Sequence, residues 1–452
     1  MSLRTTERFA EIDLLKGLGC ALMLVGHAIR IRMPAPGVAD KLILHLMDFS
    51  GPMFFFASGM NVMTFLERNE KKPGFNATRF YINAAVLLFF LGFTYNINRA
   101  SLGFMDIFQG VAVATVMVYL LMRTRIPTWL HFIIMLAIYG FYLNFRLRLE
   151  MNQIIPGFHE MRTAIPPGAD ILYFLKNRIL INLVHDVGPA RRWLFLNFSP
   201  FSWGVFFYTG ALCYRSIVQR QKSIVPWAVF FAALFVTAPW VLHNLFAPGG
   251  SLLDAVFLPS FLDLILRGIP SYVMMTLGGA GLTYLLMRRF YRGHDAVGNR
   301  AARWLLARVE LLGKESLLFL VVHWWVLDTI MMILQFTNLV LARRAGYTLE
   351  INIYARALLT LTGTALIIPW FAKIRDRWSR SSHYGTKIAF LMIATLFLSP
   401  VFLFISPSLG HYLTYGSSFG FAFVYPYLRG RLRVRYTKPV APPSPAEAQV
   451  GA

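Results

Sequence analysis

The feature that most constrains this chain is its succession of long apolar runs. We read them as helices over roughly 12–31, 42–66, 78–98, 103–122, 127–146, 201–219, 224–246, 268–287, 309–334, 352–372, 386–406 and 411–428. A hydrocarbon layer about 30 Å thick is crossed by about 20 helical residues. Inside it every backbone amide must be paired within the chain. The expected fold is therefore all-α, a polytopic integral membrane protein with about 10–12 transmembrane helices. Only 14 % of the residues are charged and 57 % are hydrophobic, against about 25 % charged in a soluble domain, which excludes a soluble enzyme.

The formal net charge of +23 reads as positive-inside bias and attraction to anionic lipid. Nucleic acid is not expected as a partner, because no soluble module carries the basic residues. Basic residues crowd the loops on the side of the N-terminus, notably Arg288 to Arg308 and Arg429 to Lys438. That places the N-terminus in the cytoplasm, with a bacterial inner membrane as the expected setting. No small-residue cleavage site precedes Asp13, so the first apolar run is expected to stay as a helix. The transmembrane domain is read as 1–438, with 439–452 a disordered cytoplasmic tail. Residues 148–200 form an extracytoplasmic loop with an interfacial helix along Ile171, Leu172, Leu175, Ile179 and Leu183. It is either a packing cap or a lid over an acceptor, the latter carried by His185, Asp186, Arg191, Arg192 and Trp193.

Cys20 and Cys213, the only cysteines, both lie in predicted spans and offer no disulfide framework. The ten histidines show no ligand spacing, so no metal is expected. Gly416-Ser417-Ser418-Phe419-Gly420 spells a nucleophile elbow but lacks the α/β sheet that makes one. Asn76-Ala77-Thr78 spells a glycosylation sequon on the cytoplasmic side.

Three stretches carry chemistry. On the first helix Lys16 and His27 stand about 20° apart around the axis and about 16 Å apart along it, with Asp13 and Cys20 flanking the line. Intramembrane ionisable groups are costly and usually face a bundle interior. The second stretch is Gly51-Pro52-Met53-Phe54-Phe55-Phe56-Ala57-Ser58-Gly59-Met60. The third runs Gly313-Lys314-Glu315-Ser316-Leu317-Leu318-Phe319-Leu320-Val321-Val322-His323, with Ser316 and His323 about 10 Å apart on one face.

In this order the three resemble the transmembrane acyltransferase superfamily, which includes the acyltransferase-3 and heparan-α-glucosaminide N-acetyltransferase-like proteins. The resemblance is densest over 8–66 and 311–330. Lys16 stands where that superfamily usually has Arg, which exchanges a bidentate fork for a point charge. The resemblance implies transfer of an acyl group, usually acetyl from acetyl-CoA in the cytoplasm, to an outward-facing hydroxyl or amine of a glycan or glycolipid. Imidazole suits that chemistry as base or as transient acyl carrier. The expected catalytic residues are His27, Lys16 and Asp13, although Asp13 could simply neutralise Lys16 at i,i+3.

Expected acceptor-binding residues are Ser58, Asn61, Ser316, His323, His45 and Asp48, with Asp106 and Gln109 in reserve, while Asp328 is read as orienting a neighbouring helix or His323. Ser58 and Gly59 equally suit close helix approach. The CoA phosphates are expected at Arg288, Arg289, Arg292 and Lys314, with Arg300, Arg303 and Arg308 nearby. Acyl-CoA, the acceptor and the bilayer are the expected partners; a homo-oligomer is also allowed. The alternative is a transporter or flippase without acyl transfer, for which Pro270 and Gly278-Gly279-Ala280-Gly281 supply a helix break.

Overall fold

The computed structural model describes residues 9–30, 43, 45–70, 72, 75–96, 107–124, 126–151, 200–246, 270–291, 293–345 and 352–378, and singly 420, 422 and 425. Most of the 148–200 connection and most of the run 411–428 lie outside the described residues, as do the run 386–406, the tail 439–452, Asp106 and Arg292.

Every regular element among the described residues is helical. In order they are α1 (Ala10–Arg30), α2 (Ser50–Glu70), α3 (Ala77–Asn96), α4 (Ile107–Arg123), α5 (Thr128–Met151) and α6 (Pro200–Tyr214). There follow α7 (Val225–Phe246), α8 (Pro270–Phe290), α9 (Arg300–Lys314), α10 (Ser316–Ala345) and α11 (Ile353–Trp378). Three stretches, Ala10–Ile29, Ser316–Asn338 and Ile353–Arg377, are long and apolar enough to cross a membrane, and shorter apolar helices accompany them. The all-α membrane architecture expected from the apolar runs is present.

Two reciprocal glycine crossings set the bundle. Where α1 meets α9, a Cβ on Gly17 would lie 1.8 Å from the Val309 carbonyl oxygen, and one on Gly313 1.9 Å from that of Asp13. Where α2 meets α6, Gly59 faces the Phe207 carbonyl oxygen at 1.8 Å and Gly210 that of Phe56 at 2.0 Å by the same measure. With hydrocarbon on all sides, helices associate by close packing rather than by escape from water, and small residues permit it. The aromatic run Met53 to Phe56 is buried beside the second crossing.

One expected span is divided. The apolar run 309–334 is not a single helix: α9 ends at Lys314, Glu315 turns, and α10 begins at Ser316. Asn299 caps the start of α9, accepting from the Ala301 and Ala302 amides at 2.9 and 3.0 Å. Leu312 and Gly313 are buried against α1, while Trp304 and Leu305 are exposed. Glu315 is held by Arg375 of α11, which donates from Nη1 and Nη2 to its two carboxylate oxygens at 2.5 and 3.1 Å.

A second difference concerns Gly278 to Gly281. They do not break α8, which runs unbroken from Pro270, a residue suited to a first helical turn. The glycines admit neighbours instead. A Cβ on Gly278 would meet the Phe231 carbonyl at 2.6 Å, and one on Gly279 the Phe49 ring at 2.2 Å.

Candidate functional site

The α1–α9 crossing fixes where α10 starts, and two turns further on α10 brings His323 to α1. His323 is buried, and its Nε2 lies 3.1 Å from Nδ1 of His27. The rings are nearly parallel, at 15° and 5.3 Å between centroids. His27 also stacks on Trp324 at 4.6 Å, and His323 stacks on Phe319 at 4.7 Å. His27, half-buried near the end of α1, is thus held by the hydrogen bond to His323 and by stacking on Trp324.

The proton positions follow from the acceptors. His323 Nδ1 lies 2.9 Å from the Phe319 carbonyl oxygen, which can only accept. Nδ1 therefore carries the proton, and in the neutral ring Nε2 is the acceptor. His27 must then donate from Nδ1, so its Nε2 is the nitrogen with the lone pair. The chain from the Phe319 carbonyl through His323 fixes both tautomers. It orients a base as a third group does in any nucleophile–base–orienter set.

Lys16 lies on the same face of α1 and lays its ammonium over the Phe54 ring of α2, 4.8 Å from the centroid. Asp13 is buried, with its backbone carbonyl against Gly313. Ser316 is buried at the start of α10, and Asp328 is half-buried further along the same helix. On α2, Ser58 is buried with no hydrogen-bond partner for Oγ among the described residues, and Asn61 is half-buried. Gln109 is buried on α4 against Gly92.

His45 and Asp48 lie in the helical residues 45–48 just before α2, with Nδ1 and Oδ2 3.7 Å apart. The Asp48 carbonyl accepts from the Tyr272 hydroxyl at 2.9 Å. Met47 between them abuts Gly26, so this segment lies beside the end of α1 that bears His27. Asn76 caps α3, accepting from the Arg79 amide at 3.0 Å.

The basic residues divide by what they already hold. Arg288 pairs with Glu11 and lies over the Phe9 ring at 5.7 Å, so its charge is committed to the start of α1. Arg289 and Lys314 are exposed. Arg303 donates to the Val297 carbonyl at 2.9 Å, and Arg308 lies 5.3 Å from the Trp304 ring centre. Glu310 is taken by the Tyr291 hydroxyl and by His294 Nδ1 at 2.9 Å. Burial and that carboxylate raise the Tyr291 phenol above its usual range.

Sequence reasoning assigned no role to Trp324, to the Phe319 carbonyl or to Arg356, which is buried in α11 beside the end of α1. Trp324 adjoins His323 in the chain, and Arg356 is a charge inside an apolar run; both signals were visible. A second buried histidine, His131, faces the Tyr208 hydroxyl through Nδ1 and accepts from Arg215 at 3.2 Å through Nε2. Both ring nitrogens are thus engaged, which is a packing role for α5 against α6.

Fold and site together describe an integral membrane protein, all helical, with a paired imidazole between its first helix and a late one. Residues 8–164 match the family model described as Heparan-alpha-glucosaminide N-acetyltransferase, catalytic. That match spans about a third of the 452 residues and supports the heparan-α-glucosaminide N-acetyltransferase-like family of transmembrane acyltransferases. It covers Lys16 and His27 and stops well before His323. No curated protein matches the chain.

Proposed function

We propose that this protein is an acyl-CoA-dependent membrane acyltransferase. It moves an acyl group, acetyl foremost, from the cytoplasmic side to an outward-facing hydroxyl or amine of a glycan or glycolipid, in a bacterial inner membrane with the N-terminus inside. The observation that carries the reading is the His27–His323 pair, which sets His27 Nε2 as the nitrogen with a lone pair. The family match over α1 supports acetyl transfer as the chemistry, since that family in general uses acetyl-CoA.

As a base, Nε2 takes the acceptor's proton while the acceptor's oxygen or nitrogen attacks the thioester carbonyl. The tetrahedral intermediate collapses, the carbon–sulfur bond breaks, and the CoA thiolate leaves with the proton from the imidazolium. As a nucleophile, the same nitrogen takes the acyl group first, releases CoA, and passes the acyl group to the acceptor. Either route needs one fixed tautomer. Lys16, lower on the same face of α1, supplies a positive charge on the donor's side, with Asp13 beneath it. Ser58, Asn61, Ser316, His45 and Asp48 remain the acceptor-side candidates. Arg289 and Lys314 are better placed for the CoA phosphates than the ion-paired Arg288.

The transporter alternative draws on a helix break at Pro270 and Gly278 to Gly281, and α8 runs unbroken through the glycines. Thiol release from acetyl-CoA by the purified protein, with candidate sugars, tests the reading. Wild type should release CoA thiol and acylate the acceptor, and His27→Ala should do neither while remaining folded. Turnover retained by His27→Ala ends the assignment of His27.

A further inference from the structure

Arg356 lies in the first turn of α11 and is 5 % exposed. It is sunk among Ala28, Ile29, Leu327 and Ala357, with Val25, Trp324, Met331 and Ile353 packed around them. A guanidinium in such surroundings is costly unless its donors are used. Nη2 donates to the carbonyl of Ala28, and Nη1 points at the Met331 sulfur at 3.6 Å. Ala28 follows His27 in the last turn of α1. Carbonyls at a helix C-terminus carry partial negative charge and favour a cation. Trp324, the face on which His27 stacks, belongs to the same cluster. Arg356 therefore ties the start of α11 to the end of α1 through the Ala28 carbonyl and to α10 at Met331, beside the cluster on which Trp324 packs.

We propose that Arg356 is a positioning residue for His27, tethering the last turn of α1 so that the ring meets His323 and Trp324 in one orientation. This rests on His27 being the reactive group. A tether that holds only the bundle would change stability and leave the ring alone. A tether that positions the ring changes turnover without changing donor binding, because a misplacement on the order of 1 Å can cost about 100-fold in rate.

The test uses the full chain in nanodiscs, comparing wild type with Arg356→Met, which keeps apolar volume, and Arg356→Lys, which keeps a donor and the charge. For Arg356→Met we expect kcat per folded molecule to fall by about 10- to 100-fold with the KM for acetyl-CoA unchanged. Arg356→Lys should recover a substantial part of that loss. In 15N-histidine spectra, the signal assigned through His27→Ala should show a single Nδ1–H tautomer in wild type and a mixture in Arg356→Met. The proposal is overturned if Arg356→Met keeps kcat within about twofold, if KM rises while kcat holds, or if the His27 tautomer is unchanged. It is equally overturned if neither variant folds, since the residue is then purely structural. Should His27→Ala retain turnover, the catalytic reading falls, while the tautomer comparison still reports whether Arg356 orients the ring.

Discussion

His323 turns Nε2 toward His27 at 3.1 Å because its other nitrogen is occupied by the Phe319 carbonyl one helical turn away. Two side chains nearly three hundred positions apart thus share one proton arrangement. Glutamine can place its carbonyl oxygen near the position of Nε2, whereas alanine and phenylalanine cannot accept. His323→Ala and His323→Phe should lower kcat by about 100-fold or more, the scale of losing a positioned acid–base group. His323→Gln should retain more activity than either. Steady-state acetyl transfer on folded protein checks the order, and an acceptor-side role would instead raise the acceptor KM.

The relay depends on where α10 begins, and that depends on the α1–α9 crossing. Gly17→Ala would push a methyl to within 1.8 Å of the Val309 carbonyl oxygen, a backbone atom that no rotamer change can move. Gly313→Ala meets the Asp13 carbonyl in the same way. Overpacking of this kind costs about 1–3 kcal/mol or more. Either variant should melt several degrees lower in detergent. Gly140, with nothing near its missing Cβ, is the control: Gly140→Ala should leave the melting temperature unchanged or raised.

Much of this was legible in the sequence, and the failures have physical reasons. The length of the apolar runs dictates helices, and a histidine at mid-span stands out because such a group is expensive there. The pairing of His27 with His323 was hidden, since helix periodicity says which residues share a face but not which faces meet. The turn at Glu315 was hidden because apolar residues continue on both sides of it, from Leu311 and Leu312 to Leu317 and Leu318. Gly278 to Gly281 suggested a break because glycine weakens helices in water. Between lipid-embedded helices the missing side chain is room for a neighbour, here Phe231 and Phe49.

Glu315 marks the turn and is gripped by Arg375 through both carboxylate oxygens. The two side chains retain only 12 % and 14 % of their exposure, so the pair is shielded from solvent. Removing one partner leaves the other charge unpaired, which is the costly way to disturb such a pair. Glu315→Gln keeps the shape and one acceptor and should cost about 1–3 kcal/mol. Arg375→Met should cost at least as much. The double variant should be less destabilised than the sum of the singles, a coupling that a thermal-unfolding double-mutant cycle reads directly.

Lys16 over Phe54 supplies the last prediction, because it tests what a lysine does where the superfamily resemblance calls for arginine. An ammonium 4.8 Å from a ring centre is held by the ring's quadrupole, a contact worth about 0.5–2 kcal/mol according to how far it is desolvated. A guanidinium stacks on a ring equally well and adds a planar fork of donors. If Lys16 acts through its charge, Lys16→Arg should keep at least about half of wild-type turnover, while Lys16→Met should lose about tenfold or more with its melting temperature preserved. Phe54→Leu should then fall between the two, since it frees the ammonium without deleting it. If the contact matters only for packing α1 on α2, Lys16→Met and Phe54→Leu will lower the melting temperature together and leave turnover per folded molecule intact. Parallel melting curves and acetyl-transfer rates on the same preparations separate the two cases.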